Sequence, residues 1–444
     1  MSDEAYSPAP ADERLLACRV LAPWLAHLEQ LHPRGQAGIE LGLERVQRVR
    51  QELAQEPRCP LIVVGGTNGK GSTCAYLEAI YADAGHRVGC YTSPHLLNYN
   101  ERIRVDRQAA GDALICAAFA RVEAARQAAG NIALTYFEFG TLAAMEVFLA
   151  QRVEVLILEV GLGGRLDAVN AYTPDCAVVC SIALDHTDWL GSDREAIGFE
   201  KAGIFRAGRA AFCADPDPPR SLLAHAQAIG AELQVLGRDF GHFGDSLQWT
   251  FWGRGGLRRA GLALPALRGA GQLRNAAVAL AVVESLRPRL PVDMQAVRRG
   301  LVDLALPGRF QVLAGRPTVV LDVAHNPQAV SGLAEKLIEL PFAAKTIAVV
   351  GMLADKDIAG SLASLAGRVD HWLLADLDVP RGAPAVALAA TVRQCALGGE
   401  VECLSSVASA FRRSAELADE NDRILVFGSF YTVAAVMRSR QNDR

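Results

Sequence analysis

The segment VVGGTNGKGST, residues 63–73, runs from an apolar strand through a glycine-rich turn into a helix start. Glycines let successive backbone N–H groups point at phosphate oxygens, and a helix N-terminus adds partial positive charge. Lys70 adds a compact point charge on a long stem, which the planar fork of arginine does not reproduce. The chain makes that choice conspicuous. It has 45 basic side chains, of which five are lysines, and its first 310 residues hold only Lys70 and Lys201. The spacing from Gly65 to Gly69 is one residue shorter than the common phosphate-loop pattern, and Gly71 separates Lys70 from Ser72. With a strand before it and a helix after it, the turn is expected to bind phosphate.

Further polar residues follow apolar runs. Glu159 ends VEVLILE and precedes Gly161, Gly163 and Gly164, with Asp167 in the same loop. Asp185 and His186 follow CAVVCSIAL, and Ser93 and His95 follow VGCYT. Open α/β sheets bind ligands at the carboxyl ends of their strands. A carboxylate there suits Mg²⁺, which takes oxygen ligands and keeps waters. Lys201, in IGFEKAGIF, closes a helical pattern that begins near Ser192. Schiff-base formation, acyl transfer and carbamylation all need a primary amine and exclude guanidinium.

The elements that must position these residues are legible as strands at 60–65, 153–161 and 176–184, with helical stretches at 72–85, 111–130 and 140–152. The strands lack the alternation of a half-exposed sheet, so both faces are expected to be covered. Strand–helix alternation predicts a mostly parallel α/β sheet. A second series, with strands at 318–324, 346–352, 371–377 and 423–429, predicts another α/β unit. Pro307–Gly308 marks the joint. Residues 247–265 read as a hairpin around Gly255–Gly256. The expected division is an N-terminal arm or helix at 1–34, its acidic, Pro/Ala-rich start disordered. A phosphate-loop ATPase-like domain follows at 35–306, then a smaller Rossmann-like domain at 307–444.

The chain is 51% hydrophobic with a net charge of −4, which argues against non-specific nucleic-acid binding. No apolar run reaches the roughly 18 residues that a membrane helix needs, and no secretory signal opens the chain. Ten scattered cysteines form no CxxC pair or zinc spacing, as expected of thiols in a reducing cytoplasm.

GTNGKGST, EVGLGGRLDAVN, LDHTDWLG, EKAGIF, LPGRFQV, DVAHNP and GSFYTV occur in this order, with ELGLERV before them. Together they resemble the folylpolyglutamate synthase/dihydrofolate synthase family of the Mur ligase superfamily, over nearly the whole chain. The resemblance implies an ATP-dependent amide ligase of the bacterial bifunctional type, acting through an acyl phosphate on dihydropteroate, reduced folates and L-glutamate. It implies ATP contacts from Gly66, Thr67, Asn68, Gly69, Lys70, Gly71, Ser72, Thr73, Asn275, Arg309 and Asp322. It implies Mg²⁺ at two sites, with Ser93, Glu159 and His186 as ligands, and a carbamate on Lys201. Lys70, Lys201 and His325 would serve catalysis. His325 and Ser429 would meet glutamate, and Leu41, Thr135, Phe137 and Asp167 the pteroate. Glu40 stands where an aspartate is common in the family. A monomer is expected, with no nucleic-acid or membrane partner.

Three rivals are weighed against this. A monofunctional folylpolyglutamate synthase would carry the same motifs. A cell-wall Mur ligase carries a whole nucleotide-sugar domain before the loop, where this sequence has about 60 residues, too few for one. A phosphate-loop switch without ligase chemistry needs neither an amine at position 201 nor DVAHNP.

Overall fold

In the computed structural model, which describes residues 8–33, 35 and 39–442, Leu61–Gly65 is central to an eight-stranded sheet. Its spatial order is Gln108–Ala109, Ile103–Val105, Val88–Tyr91, Val155–Glu159, Leu61–Gly65, Cys176–Val179, Ala210–Cys213 and Glu232–Val235. The last six strands run parallel, and the first two form an antiparallel edge. Alternate residues of the central strand feed different cores. Leu61 and Val63 join a cluster with Phe119, Phe139 and Phe148, while Ile62 and Val64 pack with Tyr76, Tyr81 and Val282. Burial on both faces is why these strands read as continuous apolar runs.

A six-stranded sheet follows, ordered Gln311–Leu313, Thr318–Leu321, Arg423–Phe427, Thr346–Val350, His371–Ala375 and Glu400–Leu404. Only the first pairing is antiparallel. The hairpin expected at 247–265 is present as Gln248–Trp252 against Arg258–Ala263, joined by a three-stranded sheet partner at Gly241–Gly244.

The start expected to be disordered falls in part outside the described residues. Residues 1–7, 34 and 36–38 lie outside the described residues. Beyond them, Asp12 caps a turn of helix at Glu13–Leu16, and the Ala11 N–H donates to Glu123. The helix Leu21–Gln30 buries Trp24 completely, with its ring 5.8 Å from that of Phe119. Burying an indole outweighs the weak helix signal of a short Ala/Pro-containing stretch.

Candidate active site

The strand ends of both sheets meet at a cleft of about 660 Å³. The phosphate-loop glycines show why the sequence needs them. Gly66 has φ 142° and Gly69 φ 88°, backbone that L side chains rarely adopt. A Cβ on Gly69 would also lie 2.5 Å from Asn275 Oδ1. The helix begins at Lys70, so the N–H groups of its first turn have no intrahelical acceptor. Lys70 Nζ donates to the carbonyls of Gly66 (2.9 Å) and Thr67 (3.2 Å), which keeps its charge over the loop. From the helix Ala270–Leu286, Asn275 donates to Gln272, which in turn donates to Ser72. Thr73 lies deeper, its hydroxyl 3.2 Å from Cys180 Sγ.

Glu159 is buried at the end of its strand, and Oε2 accepts from the Ser93 N–H at 3.1 Å. Burial pushes its carboxyl above the usual range, against the pull of Lys70, Ser93 and Arg309. Arg309 arrives from beyond the joint. A Cβ on Gly71 would touch both its Nη2 (3.7 Å) and the Glu159 carboxylate (3.8 Å), so both reach the first turn of the phosphate-loop helix. The guanidinium lies 5.1 Å from the centre of the Phe430 ring. Asp322 lines the cleft but is committed locally, accepting from the N–H groups of Phe310 and Ala324 and from Lys336.

Lys201 occupies the last turn of the helix Arg194–Ala202 and is 3% exposed. The loop after Glu159 packs on this helix: a Cβ on Gly164 would be 2.9 Å from Glu200 O and 3.2 Å from Lys201 Cα. Burial first, then the charge of Lys70, lowers the Lys201 amine from the ordinary lysine range to about 7. A neutral amine is therefore well populated near neutral pH.

A polar network crosses between the sheets. Asn68 of the phosphate loop exchanges hydrogen bonds with Asn326 and donates to Gln328. Asn326 donates to Asp185, whose other oxygen accepts from Lys356 at 2.6 Å. Lys356 Nζ is also 3.2 Å from His186 Nε2, and His325 Nε2 is 3.7 Å from Asp185. His325 Nδ1 lies 2.9 Å from the Val323 carbonyl. Burial would raise the Asp185 carboxyl, but His325, His186 and Lys356 outweigh it and hold it well below the usual range. Burial and the Lys356 charge lower His186 to about 4, so its ring is neutral near pH 7.

A hard divalent cation fits part of the expected ligand set. Glu159 is a buried carboxylate beside Ser93, aimed at the phosphate loop. His186 Nε2 faces the Lys356 ammonium, which a metal at that nitrogen would have to displace. Among the described residues, no group of three His, Cys, Asp or Glu side chains is arranged to hold a metal ion.

Other expected contacts lie away from the cleft lining. Thr135 and Glu138 form a capping box at the helix Tyr136–Ala150. Asp167 accepts from the N–H groups of Leu162 and Val169, and burial pushes its carboxyl up to about 7. Phe137 packs on the Gly161 backbone, where a Cβ would be 2.7 Å from its ring, and its centroid is 5.8 Å from that of Tyr91. Leu41 is half-buried, and its neighbour Gly42 bonds to Leu166 O. Phe137 and Gly42 thus touch the loop that holds Asp167. Glu40 pairs with Arg45 and His32, and Arg45 also pairs with Glu138. Ser429 is buried, its hydroxyl 2.7 Å from that of Thr432 while accepting from the Thr432 N–H.

Sequence reasoning missed Asn326, Gln328, Lys336 and Lys356. The scarcity of lysine was the available signal. Of five lysines, four (Lys70, Lys201, Lys336 and Lys356) line this cleft or bond to a residue that does.

Residues 64–239 match the Mur ligase middle domain, and residues 308–430 the Mur ligase glutamate ligase domain. The chain is 46% identical to the dihydrofolate synthase/folylpolyglutamate synthase of Escherichia coli K12, covering 95% of this chain and 96% of that one. It superposes on E. coli FolC in complex with DHPP and ADP with a TM-score of 0.89, at 45% identity, over 97% and 99% of the two chains. A bifunctional folylpolyglutamate synthase/dihydrofolate synthase with Mn, AMPPNP and L-glutamate bound gives 0.87 at 46% identity, over 96% and 99%. With a phosphate loop, a buried strand-end carboxylate and an arginine from the second sheet converging at one cleft, the chain belongs to the dihydrofolate synthase/folylpolyglutamate synthase family and is an ATP-dependent ligase that joins glutamate through an amide bond.

Proposed function

We propose that this chain joins L-glutamate to dihydropteroate, and then to reduced folates, in one cleft. The carrying observation is that Lys70, Glu159, Lys201 and Arg309 converge there from both sheets. The N–H groups of Gly69, Lys70 and Gly71 bind ATP phosphates, with Gly66, Thr67, Asn68, Ser72 and Thr73 shaping the loop and Asn275 bracing it. Lys70 and Arg309 neutralise the γ-phosphoryl group as it passes to the substrate carboxylate. The glutamate amine then attacks the acyl phosphate carbonyl and loses a proton. The C–O bond to phosphate breaks, and phosphate leaves with an oxygen of the original carboxylate.

Ser93 and Glu159 would hold Mg²⁺, with His186 at a second position. Bound Mg²⁺ supplies charge neutralisation at the phosphates. Lys201 would carry a carbamate. Its burial, lysine identity and low amine pKa support this, because capture of CO₂ needs a neutral amine. Phe137 would give the pterin a flat apolar wall, with Leu41, Thr135 and Asp167 as its further contacts. His325 would face the incoming glutamate across Asp185, and Ser429 would shape that end through Thr432. The enzyme would act as a monomer. Ten unpaired cysteines suit a cytoplasmic enzyme.

The test is purified enzyme with ATP, Mg²⁺ and L-glutamate, given dihydropteroate or a reduced monoglutamyl folate in separate reactions. Amide product from both is expected. Product from the folate alone makes the enzyme a monofunctional folylpolyglutamate synthase, and ATP hydrolysis without either amide rejects the proposal.

A further inference from the structure

Lys356 is buried with Asp185, their side chains 5% and 8% exposed, and its ammonium bridges Asp185 Oδ1 (2.6 Å) and His186 Nε2 (3.2 Å). It follows Thr346–Val350 in the six-stranded sheet, whereas Asp185 and His186 follow Cys176–Val179 in the eight-stranded one. An ammonium has three donors and no acceptor, so Nε2 must present its lone pair to Lys356. That lone pair is also what His186 would offer a metal. One nitrogen cannot serve both, and two cations that close repel each other. His186 itself sits in the left-handed region at φ 52°, at the N-cap of the helix Thr187–Leu190.

We propose that Lys356 is a positioning residue that acts as a built-in counter-cation, competing with a divalent cation for His186 Nε2. The proposal rests on the reading of His186 as the second metal ligand. When a divalent cation takes Nε2, Lys356 must withdraw, and Asp185 keeps Asn326 and His325 as partners from the second sheet. Cation loading thereby removes one tie between the sheets and leaves those of Asn326 and His325. It also gives this arginine-rich chain a reason for lysine at 356: a single flexible ammonium can withdraw along its stem, whereas a planar fork bonded to Asp185 cannot do so as readily.

The test is binding of Mn²⁺ alone, followed by the loss of the free-ion electron paramagnetic resonance signal. Lys356→Gln removes the charge but keeps a donor for Asp185, and Lys356→Met serves as a second variant should glutamine fail to fold. His186→Ala is made alone and in each background. Lys356→Gln should tighten the weaker Mn²⁺ site about tenfold, within the span usual for coupled sites, and His186→Ala should abolish that gain. Unchanged Mn²⁺ affinity in Lys356→Gln and Lys356→Met, with weakening in His186→Ala, overturns the competition and leaves the metal reading intact. A gain that persists in Lys356→Gln/His186→Ala also overturns it, as a general charge effect. No response to His186→Ala in any background overturns both.

Discussion

Replacing Lys201 by arginine should lower amide formation by roughly 10²–10³, the loss typical when a charge-stabilising contact in an active site is removed, while the protein stays folded. The substitution keeps a cation and most of the stem, so a simple ion-pair role would tolerate it. A carbamate would not, because guanidinium stays protonated and cannot capture CO₂. The position is 3% exposed and its amine is lowered to about 7 by burial and by Lys70. The sign follows. Below pH 7 the ammonium predominates and CO₂ capture fails; above it the neutral amine predominates. Wild-type activity should therefore fall on the acid side of about pH 7, and more steeply when CO₂ is removed. Carbon-13 NMR of the wild type in labelled bicarbonate should show a carbamate carbon that Lys201→Arg lacks. Full activity in Lys201→Arg, with no carbamate signal in the wild type, would leave Lys201 as an ordinary buried cation.

The second large effect is expected from Lys70→Ala, again roughly 10²–10³ in rate. Lys70 contributes in two ways. Its ammonium, held by the Gly66 and Thr67 carbonyls, faces the phosphates at the helix N-terminus. Together with burial, its charge also lowers the Lys201 amine. Removing it should raise the Lys201 pKa, so the acid limb of the remaining activity should move to higher pH. Lys70→Arg keeps the charge and should leave that limb in place while still losing rate. A pH–rate profile of the three proteins separates the contributions. An unmoved acid limb in Lys70→Ala would mean that the two lysines act independently.

Much of this site was legible because its residues follow apolar strands whose both faces are buried, so that Glu159 and Asp185 announce themselves as polar ends of apolar runs. Lysine scarcity carried Lys70 and Lys201. What could not be read were partners fixed only by the meeting of the two sheets. Asn68 and Asn326 are 258 residues apart, and Lys356 and His186 170. No local spacing encodes such contacts, among them the one that sets the Lys356 ammonium against His186 Nε2. The resemblance gives Ser429 and Thr135 as ligand contacts, and what it does not tell is that both hydroxyls serve helix starts, since capping side chains satisfy first-turn N–H groups. Trp24 was hidden in a segment whose first residues resemble a tail.

The central claim is that a carboxylate is activated as an acyl phosphate in this cleft before glutamate attacks. The most direct measurement uses dihydropteroate with its carboxylate labelled by oxygen-18, ATP, Mg²⁺ and L-glutamate, and follows the released phosphate by mass spectrometry. Transfer of one labelled oxygen to phosphate for each amide formed is the expected result. Amide formation with unlabelled phosphate would contradict it.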